Sequence, residues 1–252
     1  MTSTSFGADT TVGQWVAARP ETAVVFEQLD IDYCCGGKRP LRDVCGERAL
    51  DTARVLAQLQ AAERSREVPH AADWCNAPLS DLCDHIQATH HAYLRRELPR
   101  LAQLVAKVAS VHGGGRPELQ QVQQVFASLC GELGPHMLDE ERILFPAVRQ
   151  WEQAAGSEAA TAGKLADTIR AMEQEHDRAG EALAQLRRLT ADYQPPPSAC
   201  NTYRVMLDGL AQLEADMHQH VHKENNILFP RAMALEPALA ATASSPCGTG
   251  GG

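Results

Sequence analysis

The chain has 252 residues, 44% of them hydrophobic and 5% aromatic, enough for one large domain or a medium domain with a small companion. Its formal charge of −9, without a block of Lys or Arg, excludes a nucleic-acid or anionic-membrane surface, because those contacts depend on clustered positive charge. The opening MTSTSFGADT lacks the basic and apolar regions of a signal peptide, and no apolar run approaches the ~20 residues that span a bilayer, so the expected location is the cytoplasm.

Abundant Ala, Leu, Gln and Glu favour helices throughout. Residues 1–64 read as a small helical domain, with helices over Val12–Ala18, from Pro20 to about Leu29, and at about 40–48 and 51–63. Between the second and third lies Asp30-Ile-Asp-Tyr-Cys34-Cys35-Gly-Gly-Lys38, where two glycines make a flexible loop that presents two thiols. Lys38 and Arg39 nearby are expected to favour thiolate. On the residues alone, a glycine turn with incidental cysteines reads equally well. Eight cysteines in a reducing compartment read as thiols rather than disulfides, with Cys83 and Cys130 buried in helices as small hydrophobes. Residues 65–77, polar and containing Pro69, form the linker.

Four long helical stretches follow, at roughly 78–111, 116–151, 159–190 and 198–233. Gly113-Gly-Gly115 with Pro117, then Ala154–Ser157, then Pro195-Pro-Pro197 separate them. Short breaks force antiparallel neighbours, which predicts an all-α protein whose larger part is an up-down-up-down four-helix bundle.

The second and fourth stretches share a motif. His136-Met-Leu-Asp-Glu140-Glu-Arg-Ile-Leu-Phe-Pro146 recurs 84 positions later as His220-Val-His-Lys-Glu224-Asn-Asn-Ile-Leu-Phe-Pro230, both reading HxxxExxILFP. Four helical residues turn a side chain through about 400° and rise about 6 Å, so each His and Glu share a face and reach one metal-sized site. Chance likeness of two amphipathic helix ends does not explain why a buried seam carries His and Glu at the same places, given the cost of unpaired buried charge.

Apolar spacing shows which residues face the bundle axis. The fourth seam runs Met206, Leu210, Leu213, Met217, His220, Glu224, Ile227; the second runs Phe126, Leu129, Leu133, His136, Glu140, Ile143, Ala147. The third runs Leu165, Ile169, Met172, His176, Ala179, Leu183, Leu186. In the first, the seam traced back from Val105 through Leu101, Leu98 and Leu94 reaches His91, with His90 also able to serve, and Pro99 is placed to bend the helix. The helices thus offer His, His plus Glu, His, and His plus Glu, at separations of 45 (His91 to His136) and 44 (His176 to His220), as in a duplicated hairpin. Four imidazoles and two carboxylates exceed one tetrahedral zinc, whereas two metals bridged by Glu140 and Glu224 account for all six and leave open positions. Mixed N and O donors with open positions suit iron first, with zinc and manganese compatible with the spacing. His85, His218 and His222 are expected not to be ligands, and His112 to cap a helix C-terminus.

This histidine-rich set resembles the hemerythrin-like (HHE) domain. With Asp32-Tyr-Cys-Cys-Gly-Gly-Lys38, Glu97-Leu-Pro99, Glu175-His-Asp177, Pro195-Pro-Pro197 and Leu228-Phe-Pro-Arg231, the chain from about residue 12 to 234 resembles the repair-of-iron-centres family, the ScdA/YtfE type of iron-sulfur cluster repair protein. The resemblance implies a ScdA-type N-terminal domain over 1–64 and a hemerythrin-like di-iron bundle over 78–235; the sequence departs from the family at its end, where 236–252, holding Cys247, reads as a flexible tail. It implies two non-haem iron ions, with His91 and His136 on one, His176 and His220 on the other, and Glu140 and Glu224 bridging; it also favours His91 over His90. It gives Cys34 and Cys35 a redox or iron-handling role and places Glu175 behind the ligands or in a proton relay. The implied function is repair of iron-sulfur clusters after oxidative or nitrosative damage, by iron donation or by nitric-oxide reduction as an enzyme. The alternative is a module that binds oxygen or nitric oxide without turnover. Implied partners are damaged iron-sulfur proteins and such small ligands, with neither nucleic acid nor membrane, and a homodimer stays open. Because the linker enters the bundle near the ligands, the CysCys loop is expected to approach the metal site.

Overall fold

Thr11 opens α1 (Val12–Ala18) with a reciprocal cap: its hydroxyl accepts from Gln14 N while the Gln14 side chain accepts from Thr11 N. Pro20–Thr22 forms a single 3-10 turn that leads into α2 (Ala23–Gln28), followed by α3 (Leu41–Glu47) and α4 (Thr52–Arg64). Trp15, Phe26, Tyr33, Leu41 and Leu59 close a core of their own. The chain is seen here in a computed structural model that describes residues 6–64, 73–154 and 165–235; the expected tail, Cys247 and most of the linker fall outside those residues. Among the described residues the only β pairing is one antiparallel bridge, Thr11 with Pro40.

The four rods of the bundle follow. The first joins α5 (Leu79–Ile86) to α6 (Ala92–His112), and the second joins α7 (Glu118–Asp139) to α8 (Phe145–Ala154). The third, α9, is described over Leu165–Leu189, and the fourth is α10 (Asn201–Lys223) with helical residues 229–235 beyond it. Helix α6 packs on α7 and α10, and α9 packs on α7 and α10, the square expected of an up-down-up-down bundle. Pro99 and Pro135 both lie inside these helices.

Among the described residues, three π turns interrupt the rods: Gln87–His91, Glu140–Leu144 and Glu224–Leu228. A π turn adds one residue to the helical path and so rotates everything after it by about one position. This corrects the second seam. Ile143, expected inside, is 56% exposed, while Leu144, Phe145 and Val148 are buried. All seven expected positions of the third and fourth seams are buried.

The bundle core consists of two apolar clusters. One contains Leu94, Leu133, Met137, Ala179 and Met217; the other contains Ile86, Leu144, Phe145, Met172 and Ile227. Along every rod, the step from the first cluster to the second passes a His or a His and Glu. The polar residues therefore form one layer sealed above and below by hydrocarbon. Cys83 is fully buried as expected, and Cys130 is half-buried.

Candidate metal centre

The π turns lie where the polar layer lies. His91 ends the first, Glu140 begins the second and Glu224 begins the third. His91, His220, Glu140 and Glu224 have no exposed side-chain surface, and His136 and His176 are buried.

All four imidazoles present Nε2 to a common space. Each carboxylate reaches in two directions: Glu140 Oε2 lies 3.2 Å from His91 Nε2 and its Oε1 lies 3.4 Å from His136 Nε2. Glu224 Oε1 lies 3.0 Å from His220 Nε2 and its Oε2 lies 3.2 Å from His176 Nε2. Two groups of donors result, His91–His220 and His136–His176, each with both carboxylates, and within each group the ligand atoms lie within 4.8 Å of one another. The expected pairing of His91 with His136 is thus corrected. The division between the groups runs between the first and fourth rods on one side and the second and third on the other, because each Glu spreads its two oxygens across that line.

A metal fits this arrangement on the structure's own terms. His91 Nε2, both Glu140 oxygens and Glu224 Oε2 are buried without a hydrogen-bond partner, although nitrogens and oxygens stand only 3.2–3.4 Å apart. Such atoms are costly unless something between them satisfies them all, and a shared cation does. Two contacts within the layer, His220 Nε2 with Glu224 Oε1 at 3.0 Å and His176 Nε2 with His136 Nε2 at 3.1 Å, leave all four of these orphaned atoms unsatisfied. Electrostatics agree. Burial works against a charged His176, yet Glu224 lifts it to about 9; burial also works against an ionised Glu224, yet His220 and His176 hold its carboxyl well below the ordinary range.

The outward Nδ1 atoms fix the rings. His91 Nδ1 donates to Glu141 (2.8 Å), His136 Nδ1 to Glu175 (2.7 Å) and His176 Nδ1 to Asn225 (2.8 Å). Phe145 stacks on His91 and Phe229 on His176, each ring from one motif steadying an imidazole of another rod. Glu175 thus lies behind the candidate ligand His136. Glu141 and Asn225 were not singled out from the sequence, although a signal existed: both directly follow the Glu of the repeated motif, and both side chains offer an oxygen acceptor.

Among the described residues, the other histidines stay out of the layer. His90 Nδ1 donates to Asp216 (2.9 Å) and its ring lies parallel to His220; His85 stacks on Trp74; His218 and His222 meet the ring of Tyr33. His112 is the last residue of α6, at the helix C-terminus where it was expected, and its ring also reaches Cys200 Sγ at 3.4 Å.

The CysCys loop docks on the fourth rod beside this layer. Asn226 Nδ2 donates to the carbonyls of Tyr33 (3.2 Å) and Cys34 (2.9 Å), and Gln219 donates to the Tyr33 hydroxyl (2.8 Å). Gly13 and Gly37 are required here because a Cβ at either would run into Asn226 Oδ1. Asp32 shapes the loop by accepting from the N–H groups of Cys34, Cys35 and Gly36, and Cys34 Sγ lies 3.1 Å from the same carboxylate. The expectation of a thiolate favoured by Lys38 and Arg39 is overturned at Cys34. Lys38 pairs with Glu173 and Arg39 with Glu47, while the hydrogen bond with Cys35, burial and the Asp32 charge push the Cys34 thiol well above its ordinary value. Asp32, Cys34 and Cys35 themselves form a third cluster of donor atoms within 4.8 Å of one another. A cavity of about 470 Å³ opens on one side of the thiols, lined by carboxylates that include Glu27, Asp32, Asp177 and Glu181. A smaller one of about 90 Å³ lies between the thiols and Asn225, the residue that orients His176.

Residues 82–232 match the hemerythrin HHE cation binding domain family, and residues 8–63 match a second family described as a domain of unknown function. The iron-sulfur cluster repair protein YtfE of Escherichia coli O157:H7 is 37% identical over 228 residues, covering 90% of this chain and 98% of the relative. Its counterpart in Escherichia fergusonii is 36% identical over the same coverage. The chain belongs to this family of iron-sulfur cluster repair proteins with a hemerythrin-type cation-binding domain. Among the described residues, no helix is long and apolar enough to cross a membrane.

Proposed function

We propose that this protein is a non-haem di-iron protein that repairs iron-sulfur clusters damaged by oxidative or nitrosative stress, by donating iron, by reducing nitric oxide, or by both. The observation that carries this reading is the convergence of four Nε2 atoms and two carboxylates into two groups that share both Glu side chains. One iron would lie between His91 and His220, the other between His136 and His176, with Glu140 and Glu224 bridging. Iron so held supplies redox chemistry toward a small ligand such as nitric oxide or oxygen.

The protein's own groups do the rest. Glu141, Glu175 and Asn225 hold three imidazoles in the tautomer that frees Nε2 for a metal. Glu175 is 37% exposed and reaches His136, so it also suits passage of a proton between solvent and the site. The carboxylates of the larger cavity attract cations to the thiols, where Asp32, Cys34 and Cys35 offer a station for iron on its way to a damaged client. The cysteines among the described residues are free, which suits a cytoplasmic setting.

Glu140→Leu and Glu224→Leu test the site. Each removes an oxygen from both groups at once, so either substitution is expected to reduce metal from two ions per chain to fewer than one in anaerobically purified protein, with loss of recovery of a peroxide-damaged iron-sulfur enzyme. Retention of two ions with unchanged spectra overturns the bridging assignment.

A further inference from the structure

Three consecutive residues of the last π turn hold three different things. Glu224 faces His220 and His176 within the polar layer, at 3.0 and 3.2 Å. Asn225 Oδ1 accepts from His176 Nδ1 at 2.8 Å. Asn226 reaches the other way, donating to the Tyr33 and Cys34 carbonyls while its Oδ1 fills the space that Gly13 and Gly37 leave open. A π turn differs from an α turn by one residue in its hydrogen-bond path, so displacement of Glu224 is carried to Asn226 through only two peptide units. At the same offset in the first motif, Arg142 is exposed and is followed by the exposed Ile143, so that turn has no loop to hold.

We infer that the Glu224–Leu228 turn couples metal occupancy of the centre to the accessibility of the Cys34–Cys35 thiols, with Asn226 as the positioning residue. The inference rests on the reading that metal is held by the His and Glu layer. Glu224 Oε2 is buried with no hydrogen-bond partner, so a cation between it and His176 satisfies an atom that otherwise favours movement of the turn. Metal therefore binds the turn geometry that keeps Asn226 on the loop more tightly than any geometry that releases it. That differential affinity is what shifts a population. Coupling is reciprocal: prying the loop from Asn226 weakens metal binding by the factor with which metal protects the loop. The device gives a repair protein thiols that are covered while its iron is held and open once iron has left.

The test compares chelator-stripped protein with the same protein reloaded with ferrous iron anaerobically and desalted, metal per chain being measured directly. N-ethylmaleimide labelling of the Cys34–Cys35 peptide is followed by mass spectrometry, with the exposed Cys200 as internal reference. Loading is expected to slow labelling of the loop by about fivefold or more, the low end of ordinary coupling, and to leave Cys200 unchanged. In Asn226→Ala and the near-isosteric Asn226→Asp, loop labelling is expected to be fast and the same with and without iron. Lys38→Ala, which breaks the loop's ion pair with Glu173 instead, is expected to keep the loading-dependent ratio. Two ions per chain with no change in wild-type labelling overturns the inference and leaves the metal site standing. So does full protection in the Asn226 variants, which would mean that iron covers the thiols directly. A wild-type chain that takes up no metal overturns both.

Discussion

The two copies of HxxxExxILFP perform the same task toward the centre and different tasks toward the outside. In both, the His and Glu face inward four residues apart, a π turn begins at the Glu, the next residue orients an imidazole of a neighbouring rod, and the Phe stacks on that same imidazole. Beyond that the copies diverge. In the first, Glu141 is also clamped by Arg95 at 2.6 Å, and Arg142 and Ile143 meet solvent. In the second, Asn225 is 6% exposed, Asn226 docks the N-terminal loop, and Ile227 is buried at 4%. The repeated motif accounts for the cage, and the two or three residues in which the copies differ account for which side of the cage is covered.

The shared π turn gives the comparison its largest test. If the turn at Glu140 displaces the seam by one residue, Leu144 is the core position and Ile143 is not. Leu144→Ala is expected to cost about 2–5 kcal/mol of unfolding free energy, whereas Ile143→Ala is expected to stay within about 0.5 kcal/mol. Denaturant midpoints decide this. Equal costs would mean that the helix runs through Glu140 without the extra residue.

That displacement also marks the limit of what the amino-acid order discloses. The four rods, their breaks and the inward-facing His and Glu follow from apolar spacing, because α9 is regular along its whole seam and α10 is regular as far as Lys223. A π turn leaves no such trace, since the residues that form it are ordinary helix formers and its energy is met by packing and by the site it shapes. Ile143 was misplaced for that reason. The pairing of His91 with His220 depends on how Glu140 and Glu224 divide their oxygens, a side-chain matter that spacing does not encode. At the CysCys loop the neighbours in sequence, Lys38 and Arg39, mislead. Their charges go to Glu173 and Glu47, and the group that faces the thiol is Asp32.

The difference at the orienting position predicts a difference in metal affinity. Glu141 presents a carboxylate to His91 where Asn225 presents an amide to His176, and a carboxylate partner makes an imidazole the stronger donor. Removal of such a partner weakens metal binding about 10–100-fold, so Glu141→Ala is expected to fall in that range in a chelator competition. Glu141→Gln, which makes the first copy resemble the second, is expected to cost about tenfold or less, because an oxygen acceptor remains. If Ala and Gln weaken binding equally, the charge of Glu141 and not its hydrogen-bond acceptor strengthens His91, and the predicted graded series fails.

The smallest effect concerns the loop that only the second copy holds. Cys34 shares a hydrogen bond with Cys35, is buried and faces Asp32, all of which push its thiol well above the usual value of 9.0. A raised thiol pKa means that the reactive thiolate is scarce at neutral pH and gains tenfold with each pH unit until the raised value is reached. Labelling of Cys34 should therefore keep climbing with undiminished slope through pH 9, where an ordinary thiol is already half ionised and its rate begins to level off. Asp32→Asn leaves an oxygen to accept from the loop N–H groups but removes the charge. Removal of that like charge lowers the thiol's pKa, so the variant is expected to label faster at pH 8 and to reach its plateau at a lower pH. Unchanged labelling would assign the high value to burial and to the paired Cys35 alone. The thiols would then owe their protection wholly to the docking by Asn226, and the second copy would control the loop without help from the loop's own carboxylate.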